Sequence, residues 1–283
     1  MIRIISDSTC DLSKELIEKY NIEILPLHIH LGEDEYLDGV TITPDEIYEW
    51  SDANNTTPKT AAISIGEAVD AFEPIVKNGD EIIAFSISQG MSATCSVLRL
   101  AASELEAEDS IHVIDSANLS TGIGLLVIEA AIMAGEGKSA AEIVSRIEEL
   151  KPRVSASFVV DTLTYLHRGG RCSGVAALAG GMLQLHPKIV VENGKMDAHK
   201  KYRGKMRAVF KSYVKDMEAD LTNARKNRVF ITHSGCEEEI ISDMKNYLEE
   251  LNIFDEILIT RAGSVISSHC GPGTLGVLFI RGE

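Results

Sequence analysis

The chain has 283 residues, 45% of them hydrophobic, 25% charged and 5% aromatic, with a net charge of −16. That length holds one large domain or two ordinary ones around an aliphatic core, and the composition excludes a disordered or fibrous chain. The acidic balance argues against nucleic acid and against lasting attachment to an anionic membrane, and the five scattered cysteines write neither a disulfide framework nor a CxxC metal knuckle.

The first residues, Met1 to Asp7, read as strand and turn rather than as a signal peptide, and no later run has membrane-spanning length. A cytoplasmic protein is therefore expected. Ile2–Ser6 forms a strand, Asp7-Ser8-Thr9-Cys10 a hydroxyl-rich turn, and a helix runs from Asp11 or Leu12 to Tyr20. Ile22–His30 reads as one strand, Gly32–Thr41 as irregular acidic chain, and Thr43-Pro44-Asp45-Glu46 as cap, first-turn proline and acidic start of a helix to Trp50. Ser51–Ser64 is expected to be loop, followed by a helix over Ile65–Val76. Next comes the strand Ile82–Ile87, whose turn Ser88-Gln89-Gly90-Met91-Ser92 leads into a helix opened by Ser92. Strand Ile111–Ile114, turn Asp115–Ser120 and helix Thr121–Ala134 repeat the pattern, and a helix over Ser139–Leu150 ends before Pro152.

Beyond Pro152 the pattern changes. Strand Ser155–Val160 leads to a short helix stopped by Arg168-Gly169-Gly170-Arg171, and Gly174–Leu183 reads as a small-residue apolar helix. His186–Glu192 and Lys195–Lys201 flank Asn193-Gly194, the preferred two-residue hairpin turn. A basic helix over Gly204–Asn223, strand Val229–Thr232, helix Glu237–Leu251, strand Glu256–Thr260 and strand Thr274–Ile280 complete the chain.

The implied fold is two-domain α/β: a parallel doubly wound sheet in an N-terminal domain (1–152) and a mixed α/β C-terminal domain (153–283). Ligands in parallel sheets bind beyond the carboxyl ends of the strands, so the turns at Ser8/Thr9, Ser88/Ser92 and Ser116/Ser120 are expected to converge there. Free N–H groups, hydroxyls and Gly90 in such turns suit a carboxylate or a phosphate. Residues 151–215 hold 13 Lys/Arg against 3 Asp/Glu, a local +10 that leaves −26 elsewhere. Such a surface suits an acidic partner or an anionic group.

Several chemistries compete for these residues. A serine hydrolase would use Ser92, His269 and Asp7 or Asp115, but Gly90-Met91-Ser92-Ala93-Thr94 lacks the second glycine of a nucleophile elbow. Gly122-Ile123-Gly124 lacks the third glycine of a dinucleotide site, there is no Walker loop, and His233/Cys236 and His269/Cys270 have no second paired motif to complete a metal site. Binding of a small carboxylate or phosphate ester remains open on residue chemistry alone.

Ser6-Asp7-Ser8-Thr9, Pro58-Lys59-Thr60, Ser88-Gln89-Gly90-Met91-Ser92-Ala93-Thr94, Val113-Ile114-Asp115-Ser116, Tyr165-Leu166-His167-Arg168-Gly169-Gly170-Arg171, Lys188 and Ser268-His269-Cys270-Gly271-Pro272-Gly273 together resemble the DegV family of bacterial fatty-acid-binding proteins along nearly the whole chain. The resemblance implies one long-chain fatty acid held between two domains, its carboxylate on the Thr60 and Ser92 hydroxyls near His269, with no cofactor and no metal. It also implies a fatty acid kinase partner that phosphorylates the carried carboxyl group, while this chain performs no catalysis. Ser88, Gly90, Ser116 and Arg171 are the further candidate ligand-binding residues. Arg168, Lys200, Lys201, Arg203 and Arg207 form the candidate docking face, and exchange with a membrane would be transient. One departure stands out: members usually continue after the threonine as Ser-Gln-Pro-Ser, where this chain has Ala61-Ala62-Ile63-Ser64. Ala93-Thr94-Cys95 likewise replaces the common Gly-Thr-Tyr.

Overall fold

In a computed structural model, residues 1–172 and 185–282 are described; the apolar helix expected over 174–183 lies outside them. The chain opens with β1 (Ile2–Asp7), and the first helix is shorter than its sequence suggests. Ser13 rather than Asp11 caps α1 (Lys14–Lys19), because Asp11 sits in the left-handed region with φ 51°. The expected single strand Ile22–His30 divides into β2 (Ile22–Leu25) and β3 (His28–Leu31). Pro26, which has no N–H, falls between them and ends the ladder.

Two further strands occupy ground expected to be irregular. β4 (Asp34–Leu37) lies in the acidic segment, α2 (Pro44–Asn54) follows with the Thr43/Glu46 capping box, and β5 (Lys59–Ala61) lies in the expected loop. Three or four residues are too few to show a period, and these strands exist because β3 pairs with both, Ile29 opposite Thr60 and His30 opposite Glu35. Then come α3 (Ile65–Lys77), β6 (Glu81–Ser86), α4 (Thr94–Glu104), β7 (Ile111–Asp115), α5 (Thr121–Gly135) and α6 (Ala140–Leu150).

The remainder is β8 (Val154–Val159), α7 (Thr164–Gly169), β9 (Leu185–Glu192), β10 (Lys195–Arg203), α8 (Met206–Asp216), α9 (Glu218–Thr222), β11 (Ala224–His233), α10 (Glu238–Leu251), β12 (Glu256–Arg261), α11 (Ser264–Cys270) and β13 (Leu275–Arg281). The basic helix expected over Gly204–Asn223 is thus two helices that meet at Met217, a side chain buried to 2% exposure.

The strands form a parallel sheet in the order β2-β1-β6-β7, a six-stranded mixed sheet β10-β9-β8-β13-β11-β12, and a small antiparallel sheet β4-β3-β5. Between the two large sheets runs α5. Ten of its residues are buried, and it packs on β1 and β6 on one side and on β8 and β13 on the other. A helix apolar on every face belongs in such a position. Polar ties then fix the halves. Glu129 of α5 binds Arg225 at 3.0 Å and Arg228 at 3.2 Å, Thr121 bonds Thr232 at 2.6 Å, and Ser88 donates to the Gly194 carbonyl at 2.7 Å.

Candidate functional site

Four separate segments meet where the halves face each other. Thr60 is the middle residue of β5, Ser92 lies in the turn after β6, Arg171 follows α7, and His269 is in the last turn of α11. All four line one pocket, together with apolar groups that include Ile87, Met91, Leu119, Met196 and Ile266. Thr60 Oγ1 and His269 Nε2 are 2.8 Å apart, a bond that spans 209 positions of sequence. Ser92 does not open the helix as expected. Its hydroxyl accepts from the Thr94 N–H at 3.3 Å and pairs with Thr94 Oγ1 at 2.9 Å, and α4 starts two residues later.

Burial pushes the His269 imidazole down to about 4, with the Arg171 charge adding to the effect. The ring is therefore neutral at neutral pH. Its other nitrogen, Nδ1, is buried and has no hydrogen-bond partner among the described residues. Arg171 is held by its own loop, Nη1 donating to the Gly169 carbonyl at 2.7 Å.

Leu119, Ile266 and Cys270 also line a second pocket that runs beneath the start of α5 to Phe158, Gly276 and Leu278 of the mixed sheet. Hydroxyl residues line it too, yet their oxygens are engaged. Ser120 donates to Asp11 Oδ2 at 2.5 Å, Ser234 to the Gly271 carbonyl at 2.5 Å, and Thr274 to the Cys270 carbonyl at 3.0 Å. With those oxygens turned inward, the wall offers mainly hydrocarbon. A pocket that carries the four polar residues thus abuts an apolar one, with Leu119, Ile266 and Cys270 lining both.

A model of the DegV family, described as uncharacterised proteins, matches residues 1–282. The chain belongs to the DegV family. A DegV domain-containing protein of Clostridium perfringens is 34% identical over 279 residues, covering 99% of this chain and 98% of the relative. Among solved structures, a fatty-acid-binding DegV family protein of Thermus thermophilus superposes with a TM-score of 0.91 at 28% identity, with 99% of each chain covered. A stearic acid-binding protein of Eubacterium ventriosum matches at 0.85 and 30% identity, covering 99% of this chain and 98% of that one.

Within this DegV chain the other expected ligand residues lie elsewhere. Ser88 and Gly90 hold the β9–β10 hairpin: besides the Ser88 bond to Gly194, a Cβ on Gly90 would come within 2.6 Å of the Gly194 carbonyl. Ser116 is buried and bonded to Asn118 within its own turn. Of the three hydroxyl turns, the one with Ser92 lines this pocket. Ser8 donates to Asp38 Oδ2 at 2.8 Å, and Ser120, as above, to Asp11. The two carboxylates use their remaining oxygens on α11, which carries His269. Asp11 Oδ1 accepts from Gly263 N at 2.8 Å and Asp38 Oδ1 from Ser264 N at 2.7 Å. No motif in the sequence marked Asp11 and Asp38, because their partners on α11 lie more than 200 positions away.

The hydrolase arrangement is not assembled. Asp7 accepts from Ile87 N and Thr9, Asp115 from Gln89 N and Ala117 N, and His269 bonds Thr60 instead of Ser92. Among the described residues no group of three or more His, Cys, Asp or Glu side chains could hold a metal, and no helix is long and apolar enough to cross a membrane. On the basic face, Arg168, Lys200, Lys201, Arg203 and Arg207 are all exposed; Lys200 pairs with Asp216 at 2.6 Å and Arg207 with Asp243 at 2.5 Å and with Glu239. Ser64, the hydroxyl left in the altered loop, caps α3 through a capping box with Glu67.

Proposed function

We propose that this chain holds a single long-chain fatty acid between its two halves and presents the carboxylate to a fatty acid kinase, without catalysing a reaction itself. The observation that carries this reading is the pocket of Thr60, Ser92 and His269 set directly against a second one walled by hydrocarbon, with Leu119, Ile266 and Cys270 lining both. Sheet pairing supports the boundary at 152/153, since among the described residues no strand pair joins the segments on either side of it. The carboxylate sits on the Thr60 and Ser92 hydroxyls and His269, with Arg171 at the rim. The tail passes Leu119, Ile266 and Cys270 toward Phe158 and Leu278.

Each buried methylene contributes about 0.8 kcal/mol, so a chain of about fourteen supplies about 11 kcal/mol gross, against about 1.5–3 kcal/mol for each bond to the charged head. The tail sets affinity and the head group sets orientation. Among the described residues Ser92 bonds Thr94 and His269 bonds Thr60, with no bond from Ser92 to a base or from His269 to a carboxylate, which favours a carrier over a hydrolase. The exposed Arg168, Lys201 and Arg203 suit an acidic or nucleotide-loaded kinase, a reading that goes with a cytoplasmic protein. Native mass spectrometry of the purified chain tests the reading: a constant excess mass of one fatty acid, removed by organic extraction, is expected. Protein that carries no lipid and takes up none from vesicles refutes it.

A further inference from the structure

A carboxylate seated beside Thr60 and His269 meets neutral partners. Thr60 and Ser92 offer hydroxyls, and Arg171 is the one cation among the described residues that line the pocket; its guanidinium is tied to the Gly169 carbonyl, and its side chain is exposed. Removing a carboxylate from water costs several kcal/mol even after relaxation, and neutral donors offset only part of that. His269 has unused capacity. Nε2 is engaged with Thr60, while Nδ1 lies buried without a partner among the described residues, beside the Cα of Gly169. A neutral imidazole offers one N–H, whereas an imidazolium offers two donors and a balancing charge.

We infer that a carboxylate ligand enters this site together with one proton, which comes to rest on His269, so that the bound state is a carboxylate–imidazolium pair. The inference rests on the fatty-acid reading above. One N–H bond forms on the ring, the proton leaves a buffer acid in solution, and the ligand stays ionised; nothing is oxidised or reduced.

Before an anion arrives, the neutral ring is favoured. Burial and the Arg171 charge hold His269 down at about 4, so at neutral pH the proton arrives only with the anion. The groups around α11 allow this. Thr60 faces the ring from β5, Arg171 from the loop after α7, Tyr48 of α2 lies against Ser267, and Cys270 is the ring's neighbour in sequence. Asp11 and Asp38 contact the other end of the helix, about 9 Å away at 1.5 Å per residue. The charge that stabilises the imidazolium is thus the ligand's own.

Titration calorimetry with stearic acid delivered from cyclodextrin, in two buffers of different ionisation enthalpy near neutral pH, reads the proton directly. Uptake of close to one proton is expected, with Kd rising about tenfold for each pH unit between the free and bound values of the ring. In His269→Gln the residual binding loses both dependences. The ¹⁵N resonances of His269 in the wild-type chain provide a second readout, moving from a neutral to an imidazolium pattern on loading. Binding of stearic acid with no proton uptake and a ring that stays neutral overturns the inference and leaves the carrier reading standing, the charge then being answered by Arg171. Failure of stearic acid to bind at all refutes both.

Discussion

Gly169→Ala separates two effects that point in opposite directions. Gly169 ends α7 in helical backbone, so alanine there carries no backbone strain and gains up to about 1 kcal/mol of helix propensity. Its methyl, however, would stand 2.5 Å from His269 Nδ1, where ordinary contact begins at 3.4 Å. The ring must retreat by about 0.9 Å, and the 2.8 Å bond from Nε2 to Thr60 has too little slack to follow. Loss of a head-group bond worth about 1–3 kcal/mol corresponds to fatty-acid binding roughly 5- to 150-fold weaker. Thermal unfolding and a fluorescent fatty-acid displacement assay on the same preparation check this, with the melting temperature held or raised while affinity falls. An alanine variant that is more stable and binds as tightly as wild type would refute the reasoning, because the imidazole would then have room to move without losing its role.

Ser92→Ala is expected to reduce partner-dependent phosphorylation of the carried acid more than it reduces binding, since the tail dominates affinity; intact phosphorylation would remove Ser92 from the head-group role. Charge reversal at Arg171 and Arg203 should slow association with the kinase in a salt-sensitive way, and stopped-flow rates that do not change would rule out the docking face. Glu129→Ala leaves Arg228, 7% exposed, with the half-exposed Glu256 at 3.4 Å as its remaining carboxylate partner, and should lower stability in urea by about 3 kcal/mol. The pH dependence has two opposed parts. His269, at about 4 in the fold against 6.5 unfolded, contributes stability that is complete above pH 6.5 and lost as pH falls toward 4. Asp7, raised by burial to about 6 from 3.8, contributes stability that is complete below pH 3.8 and lost as pH rises through 6. Relative to wild type, His269→Gln should therefore gain stability on acidification across that window and Asp7→Asn should lose it, and urea curves that stay parallel at both ends would contradict the assignment.

Much of this protein was legible in the order of its residues. The βα units from β1 to α5, the Thr43 and Ser64 regions as loop-to-helix transitions, and the Asn193-Gly194 hairpin follow from apolar period and turn chemistry, which act over a few residues. The family motifs around Thr60, Ser92, Arg171 and His269 likewise pick out the four polar residues that share one pocket. Pairing decided what local pattern could not. β4 and β5 are strands only because β3 lies between them, and Ile22–His30 breaks because Pro26 cannot donate to a ladder. Chemically alike serines then received different tasks from the fold. Ser92 faces the pocket, Ser88 holds the hairpin, and Ser8 and Ser120 bind the carboxylates that seat α11. A hydroxyl takes whichever partner the packed chain brings within 3 Å, and for these residues that partner is set by contacts tens to hundreds of positions away. Sequence alone therefore determined which residue types carry the chemistry, while the tertiary structure decided which oxygens remain for a ligand.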